Sequence, residues 1–342
     1  MNIDSQKIEL FKQQLAEPKK VVILSHTNPD GDAIGSSLAM AEVLENQGHT
    51  VHCIVPNRFP YYLKWMPKSD NLIIHSNDKL GLTERVIAAA DVVICADMSS
   101  LSRLEALTEI IAANTTAKRI LVDHHLNPSE EFDIVFSYPE SSSTAYLVYE
   151  VLKAAYGKEV FNTTIATLLY VGMITDTGNF AFSNINPDLF RAAADLLETG
   201  IDVPTIYNNV YNSFTEGRAR LFGYVINRKM KTLLKGTVAY LSLTEEEMRK
   251  FWFQQGDSEG FVNYPLSIKK VKMSAMFSEQ QGGFIRVSLR SHGSVDVNTF
   301  ARRYFNGGGH HNAAGGKSFM NMEDTIAHYI AAVEEYHNEG MV

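Results

Sequence analysis

Cysteine is nearly missing from this chain: Cys53 and Cys95 are the only two in 342 residues. Each lies within an apolar, strand-like run, so both read as buried free thiols of a reducing compartment. A disulfide framework or a thiolate metal site would need clustered ligands. Long hydrophobic runs are missing as well, and nothing approaches the roughly 18 apolar residues a membrane-spanning helix requires. The first residues interleave Asp4, Lys7, Glu9 and Lys12 with apolar positions, which reads as an ordinary helix rather than a signal peptide. The expected location is therefore cytoplasmic, with no membrane partner. No internal repeat or low-complexity tract occurs, which excludes solenoid and fibrous architectures. An excess of positive charge is also lacking, since 31 Lys and Arg face 39 Asp and Glu for a net charge of −8. That speaks against binding long duplex nucleic acid.

The charge is unevenly spread. Residues 218–320 hold sixteen Lys and Arg against seven Asp and Glu, which leaves −17 for the rest of the chain. An acidic part suited to cations and a basic part suited to phosphates is the division this suggests. Apolar residues make up 45% and charged residues 20%, an ordinary globular composition, and the length favours about two domains.

Strand patterns at 21–26, 51–55, 72–75, 92–96 and 120–124 alternate with helical ones such as 33–47. Helical patterns follow at 142–156, 163–175 and 188–198. This predicts an α/β fold, a doubly wound and mainly parallel sheet with right-handed crossovers. Gly200 and Pro204 mark a connector, after which strands at 238–243, 272–277 and 284–289 mix with helices at 245–252, 297–305 and 323–338. The expected organisation is a catalytic domain over 1–190, a helical connector over 191–217 and a smaller α+β domain over 218–342, with a cleft between the two domains.

Three apolar runs of the first part end in ligand-type side chains: His26, Asp97, and the triplet Asp123-His124-His125. Short runs apolar throughout are typical of strands buried on both faces, and ligands bind beyond the carboxyl ends of such strands. After His26 the chain reads Thr-Asn-Pro-Asp30-Gly-Asp32, a turn sequence that projects two carboxylates where a helix begins. Asp32 would serve there as a plain N-cap if nothing else joined it. Asp176 closes the helical pattern at 163–175. So many acidic groups in one crevice would repel one another unless they were protonated or held cations. Mixed imidazole and carboxylate ligands favour Mn²⁺ over Mg²⁺, with Co²⁺ a further candidate. Two ions sharing one aspartate can both activate water and clamp a phosphoryl group.

The segment His26–Ser36, Asp97, Asp123-His124-His125 and Asp176 together resemble the four motifs of the DHH phosphoesterase family, in the family's order. The resemblance implies that His26 and Asp30 ligate one metal ion, that Asp32, His124 and Asp176 ligate a second, and that Asp97 bridges them. It further implies that His125 faces the substrate phosphate and that Asp123 orients a histidine from behind.

Near the C-terminus the chain reads Gly307-Gly308-Gly309-His310-His311, preceded by a strand end at Arg290-Ser291. Consecutive glycines let backbone N–H groups approach a phosphate, and this ensemble is similar to the DHHA1 domain. That likeness makes Arg290, Ser291, Gly308, Gly309 and His310 the substrate-binding candidates, with no role given to His311. It points away from the inorganic pyrophosphatase branch and toward the stand-alone branch that degrades very short RNA and dephosphorylates adenosine 3′,5′-bisphosphate. A phosphodiesterase for linear or cyclic dinucleotides fits the same residues. An exopolyphosphatase and a non-catalytic nucleotide sensor fit less well. The aromatic groups Tyr61-Tyr62-Trp65 and Phe251-Trp252-Phe253 could stack on a base, but core packing or a homodimer contact is the expected role for most of them.

Overall fold

The computed structural model describes every residue except Ser183 and Gln281. The chain divides into two compact units, Met1–Ser213 and Phe214–Val342. The first contains α1 (Ser5–Gln14), β1 (Lys20–Leu24), α2 (Gly31–Asn46), β2 (Thr50–Val55), β3 (Ile73–Ile74), α3 (Leu82–Ala88) and β4 (Val92–Ala96). It continues with α4 (Leu107–Ala113), β5 (Lys118–Asp123), β6 (Ile134–Ser137), α5 (Thr144–Tyr156), α6 (Thr163–Asp176), α7 (Pro187–Leu197) and α8 (Val203–Tyr211).

Its six strands form one parallel sheet in the order β3-β2-β1-β4-β5-β6. The alternation of strands and helices does produce the doubly wound α/β class expected of it. Side chains alternate across the sheet, so Val22, Leu24, Val93, Cys95 and Leu121 pack with Ile87, Leu101, Leu104, Leu107 and Ile111 in one core. Val21, Ile23, Val92 and Ile94 turn to the opposite face, which α2 and α5 cover. Both cysteines are buried and free.

The chain runs outward from β1 to β3 and then returns to β4 on the other side of β1. In such sheets the binding crevice opens beyond the strand ends at this reversal. Register sets Leu24 beside Cys95 and Ala96 beside Val122. The residues that follow β1, β4 and β5 therefore leave the sheet at one level.

Above the sheet, α2 packs against α5 and α6 at unusually short range. A Cβ at Gly35 would lie 2.4 Å from the Leu168 carbonyl oxygen, and one at Gly172 would lie 2.5 Å from Ala145 Cβ. Only glycine fits at either crossing, because contact between carbon atoms normally begins near 3.5 Å.

The second unit holds α9 (Glu216–Tyr224), β7 (Lys231–Leu233), β8 (Val238–Leu243), α10 (Glu245–Lys250), β9 (Met273–Gln280) and β10 (Phe284–Ser291), then α11 (Val297–Phe305), β11 (Gly308–His310), β12 (Ala313–Ser318) and α12 (Met322–Asn338). Its mixed sheet runs β11-β12-β10-β9-β8-β7, with β8 and β9 parallel and the other pairs antiparallel. One face packs on α11 and α12 through Phe277, Val287, Phe300, Phe305, Tyr329 and Val333. The other packs on α9 through Leu221, Leu241, Leu243, Phe261 and Met276. Across the whole unit sixteen basic residues face thirteen acidic ones, because α12 and its flank add acidic side chains to the basic stretch. No helix among the described residues is long and apolar enough to cross a membrane.

Candidate active site

The loop after β1 places the first groups. Asn28 takes a left-handed conformation, φ 59°, and Asp30 caps α2 by accepting from the Asp32 and Ala33 N–H groups at 3.0 and 3.1 Å. The cap is thus Asp30, and Asp32 is free for another task. Its carboxylate is 1% exposed and accepts from the N–H groups of Thr144 and Ala145, both at 2.7 Å, at the start of α5. The positive end of that helix holds it in place.

Asp97 follows β4 in a left-handed conformation, φ 62°, held by its N–H to the Val122 carbonyl at 3.0 Å. Such a conformation is strained for a residue with a Cβ, and strain of this kind gathers at functional sites. The carboxylate is 2% exposed, accepts from Thr144 Oγ1 at 3.0 Å, and lies 3.3 Å from His26 Nε2 and 3.7 Å from His124 Nε2. Asp176, the last residue of α6, places Oδ2 3.5 Å from His124 Nε2.

Two of the imidazoles are oriented from behind. His26 Nδ1 donates to the Thr27 carbonyl at 2.9 Å and His124 Nδ1 donates to the Ser141 carbonyl at 3.2 Å. A carbonyl can only accept, so Nδ1 carries the hydrogen and each Nε2 presents a lone pair to the carboxylates when the ring is neutral. Ligand atoms gather within 4.8 Å of one another as His26, Asp30 and Asp97, and again as Asp32, Asp97 and His124. Asp97 belongs to both groups. A third group, Asp97, Asp123 and His125, adjoins them.

Crowding leaves its mark on protonation. Burial, then Asp97, Asp176 and Asp30, push Asp32 well above the usual carboxylate range despite the Ala145 N–H. Burial acts upward on Asp97 too, but the hydrogen bond and charge of His26, with the charge of His124, hold it well below that range. Burial and the Arg103 charge pull His26 down, yet Asp97 and Asp30 outweigh them and leave it above its ordinary value. His124 is raised likewise: burial opposes the charged ring, and Asp176, Asp97 and Asp123 overcome it. Without cations the crevice binds protons in their place, and the donor set fits borderline divalent ions. Asp123 adds an unpaired buried oxygen, since its Oδ2 makes no hydrogen bond among the described residues.

One residue went unread in the sequence. Arg103 lies on the 3₁₀ turn Leu101–Leu104, six residues beyond Asp97, and donates from Nη1 to His125 Nε2 at 3.1 Å. His125 Nδ1 in turn meets Asp123 Oδ1 at 2.7 Å. The only local signal was a basic residue between Leu101 and Leu104, both of which are buried and fix the turn.

The candidates of the second unit lie at one end of its sheet. Arg290 and Ser291 close β10, and Ser291 Oγ donates to the Val295 carbonyl at 2.6 Å while accepting from Asn312 Nδ2 at 2.9 Å. Gly308, Gly309 and His310 form β11 rather than an open loop. The Gly309 N–H donates to Asn298 Oδ1 at 3.0 Å, so it serves the packing of α11 on this strand. At Gly309 φ is 149°, and a Cβ would lie 2.5 Å from the Ala313 carbonyl oxygen. At position 309 close backbone packing therefore requires glycine on its own account, beside the phosphate approach expected of the run.

A parallel sheet with carboxylate and imidazole groups converging at its switch point, joined to a second unit with a mixed sheet, defines a class of two-unit α/β proteins with metal-type sites. The DHH family, N-terminal domain, matches residues 20–173, and the DHHA1 domain matches residues 235–339. The chain belongs to the DHH family and carries both its N-terminal domain and a DHHA1 domain. A protein of Mycoplasma genitalium named bifunctional oligoribonuclease and PAP phosphatase NrnA is 29% identical over 86% of this chain and 87% of its own length. The crystal structure of an exopolyphosphatase-related protein from Bacteroides fragilis is 40% identical, with TM-score 0.91 over 98% of this chain and 97% of that one. RecJ from Thermus thermophilus in complex with Mn²⁺ is similar in fold, with TM-score 0.56 and 15% identity, over 98% of this chain and 54% of that one.

Proposed function

We propose that the protein is a dinuclear metal-dependent phosphoesterase that hydrolyses very short oligoribonucleotides and adenosine 3′,5′-bisphosphate. The observation that carries this is Asp97, shared by two groups of ligand atoms and held in a strained conformation between them. His26 and Asp30 would hold one ion, Asp32, His124 and Asp176 the other, and Asp97 both. Bound divalent ions, Mn²⁺ in the first instance, supply a nucleophile at neutral pH and neutralise charge on a phosphoryl group. The chain's own contribution is to orient the imidazoles through Thr27 and Ser141 and to position Asp32 on the start of α5. Arg290, Ser291, Gly308, Gly309 and His310 would hold the nucleotide portion of the substrate.

Support for the substrate class comes from the name of the Mycoplasma genitalium relative, whose sequence this chain matches along most of its length. The exopolyphosphatase-related description of the Bacteroides fragilis protein favours a second reading, polyphosphate cleavage by the same groups. Turnover of a diribonucleotide, adenosine 3′,5′-bisphosphate, a cyclic dinucleotide and polyphosphate, compared in Mn²⁺, separates these readings. The first two should be the best substrates. A preference for polyphosphate or a cyclic dinucleotide would replace the proposal.

A further inference from the structure

The likeness to the DHH family leads one to expect His125 to contact the substrate phosphate, and the hydrogen bonds around it speak otherwise. A guanidinium has only donors, so His125 Nε2, 3.1 Å from Arg103 Nη1, accepts. Its hydrogen is then on Nδ1 and is donated to Asp123 Oδ1 at 2.7 Å. In this arrangement His125 has no hydrogen left for a phosphate oxygen. Arg103, by contrast, uses one N–H of five, and its guanidinium makes no other hydrogen bond among the described residues. It is half-buried beside a crevice otherwise rich in carboxylates. The turn that carries it is fixed on both sides: Leu101 and Leu104 are buried, and the Arg103 carbonyl accepts from the Thr27 N–H at 2.9 Å, which ties it to the His26 loop.

We propose that Arg103 is the group that grips the non-bridging oxygens of the substrate phosphate, and that Asp123 and His125 act behind it as a brace. Asp123 fixes the His125 tautomer, and the His125 lone pair aims the guanidinium. The planar fork then offers its remaining N–H groups to two oxygens at once, the geometry for which arginine is suited and lysine is not. This rests on the phosphoesterase reading and reassigns the phosphate contact within it.

The test uses full-length Arg103→Ala and Arg103→Lys. Three quantities are read: kcat and KM for adenosine 3′,5′-bisphosphate in Mn²⁺, calorimetric affinity for Mn²⁺ alone, and calorimetric affinity for adenosine monophosphate in Mn²⁺. For Arg103→Ala the expected result is a loss in kcat/KM of about 10²–10³-fold, the usual effect of removing one charge-stabilising donor. Adenosine monophosphate should bind more weakly while Mn²⁺ affinity is unchanged, and added guanidinium ion should restore about tenfold or more of the rate. Arg103→Lys should recover only part of it. Two results would overturn the proposal: turnover and nucleotide affinity within about threefold of wild type, or loss of Mn²⁺ affinity together with the rate and no rescue by guanidinium, which would make Arg103 a structural anchor. A wild-type protein inert toward the bisphosphate would sink the phosphoesterase reading instead, and the nucleotide affinities would still report on Arg103.

Discussion

Replacing Gly172 by alanine tests how the site is held together. The new Cβ would lie 2.5 Å from Ala145 Cβ and 2.9 Å from Asp32 Oδ1. Relief to an ordinary contact near 3.5 Å requires α5 and α6 to separate by about 1 Å. Overpacking of this kind costs about 1–3 kcal/mol, offset by about 1 kcal/mol from the better helix propensity of alanine. The net loss is then about 0–2 kcal/mol, which lowers the unfolding temperature of a unit this size by at most about 8 °C. Function should suffer out of proportion, because a 1 Å displacement of a catalytic group costs about 10²-fold. Gly223→Ala is the control: Gly223 is also helical, in α9, but a Cβ there meets nothing within 4 Å. That change should raise stability by up to about 1 kcal/mol and leave turnover alone. Thermal unfolding, Mn²⁺ calorimetry and turnover measured on both variants decide the matter. Wild-type Mn²⁺ affinity and turnover in Gly172→Ala would refute the reasoning that the α2–α5–α6 contact sets the position of Asp32.

Two further expectations follow from the same physical account. Mn²⁺ that binds only the folded state should raise the unfolding temperature of the first unit. At a hundredfold excess over the dissociation constant the gain is about 2.7 kcal/mol, abolished by chelator, and no shift in calorimetry would count against a preformed metal centre. In the second unit, burial acts upward on Glu247, but Lys229, the Thr244 N–H and Tyr224 outweigh it and hold its carboxyl below the ordinary glutamate range. A folded-state value below the unfolded one means the stabilisation is complete above about pH 4.3 and is lost as pH falls through the folded value. Glu247→Gln should therefore cost about 1 kcal/mol near neutrality, with the difference shrinking in acid. A difference that is constant from pH 7 to pH 3 in thermal unfolding would show the sign to be wrong.

Much of the first unit was legible because β1, β4 and β5 are buried on both faces, and such strands are apolar without interruption. His26, Asp97 and Asp123 to His125 stood out against those runs. The boundary was less clear: β1 ends at Leu24, so Ser25 and His26 already belong to the loop. Asp30 and Asp32 both suit a helix start, and only the packing of α5 on α2 decides that Asp30 caps and Asp32 turns inward. Gly35 and Gly172 have low intrinsic helix propensity and no local signal for their role, because the reason for them is tertiary. In the second unit β12 is Ala-Ala-Gly-Gly-Lys-Ser, with almost no intrinsic strand preference. It is a strand because it pairs with β10 from Ser318 to Ala313, and Gly316 lies where a Cβ would strike Phe305. The basic stretch at 218–320 overstated the charge of its unit, because the acidic residues that pair with Arg303 arrive later, at Glu335 and Glu339.

The most direct test of the central claim is nucleotide and phosphate release from a 5′-labelled RNA series of about two to five residues and from adenosine 3′,5′-bisphosphate. Wild type and Asp97→Asn are compared in Mn²⁺ and in chelator. The account predicts metal-dependent release by wild type that falls with RNA length, and essentially none from an Asp97→Asn protein that remains folded. Release that persists in chelator, or an Asp97→Asn protein with substantial activity, would contradict a reaction organised around a shared metal ligand at Asp97.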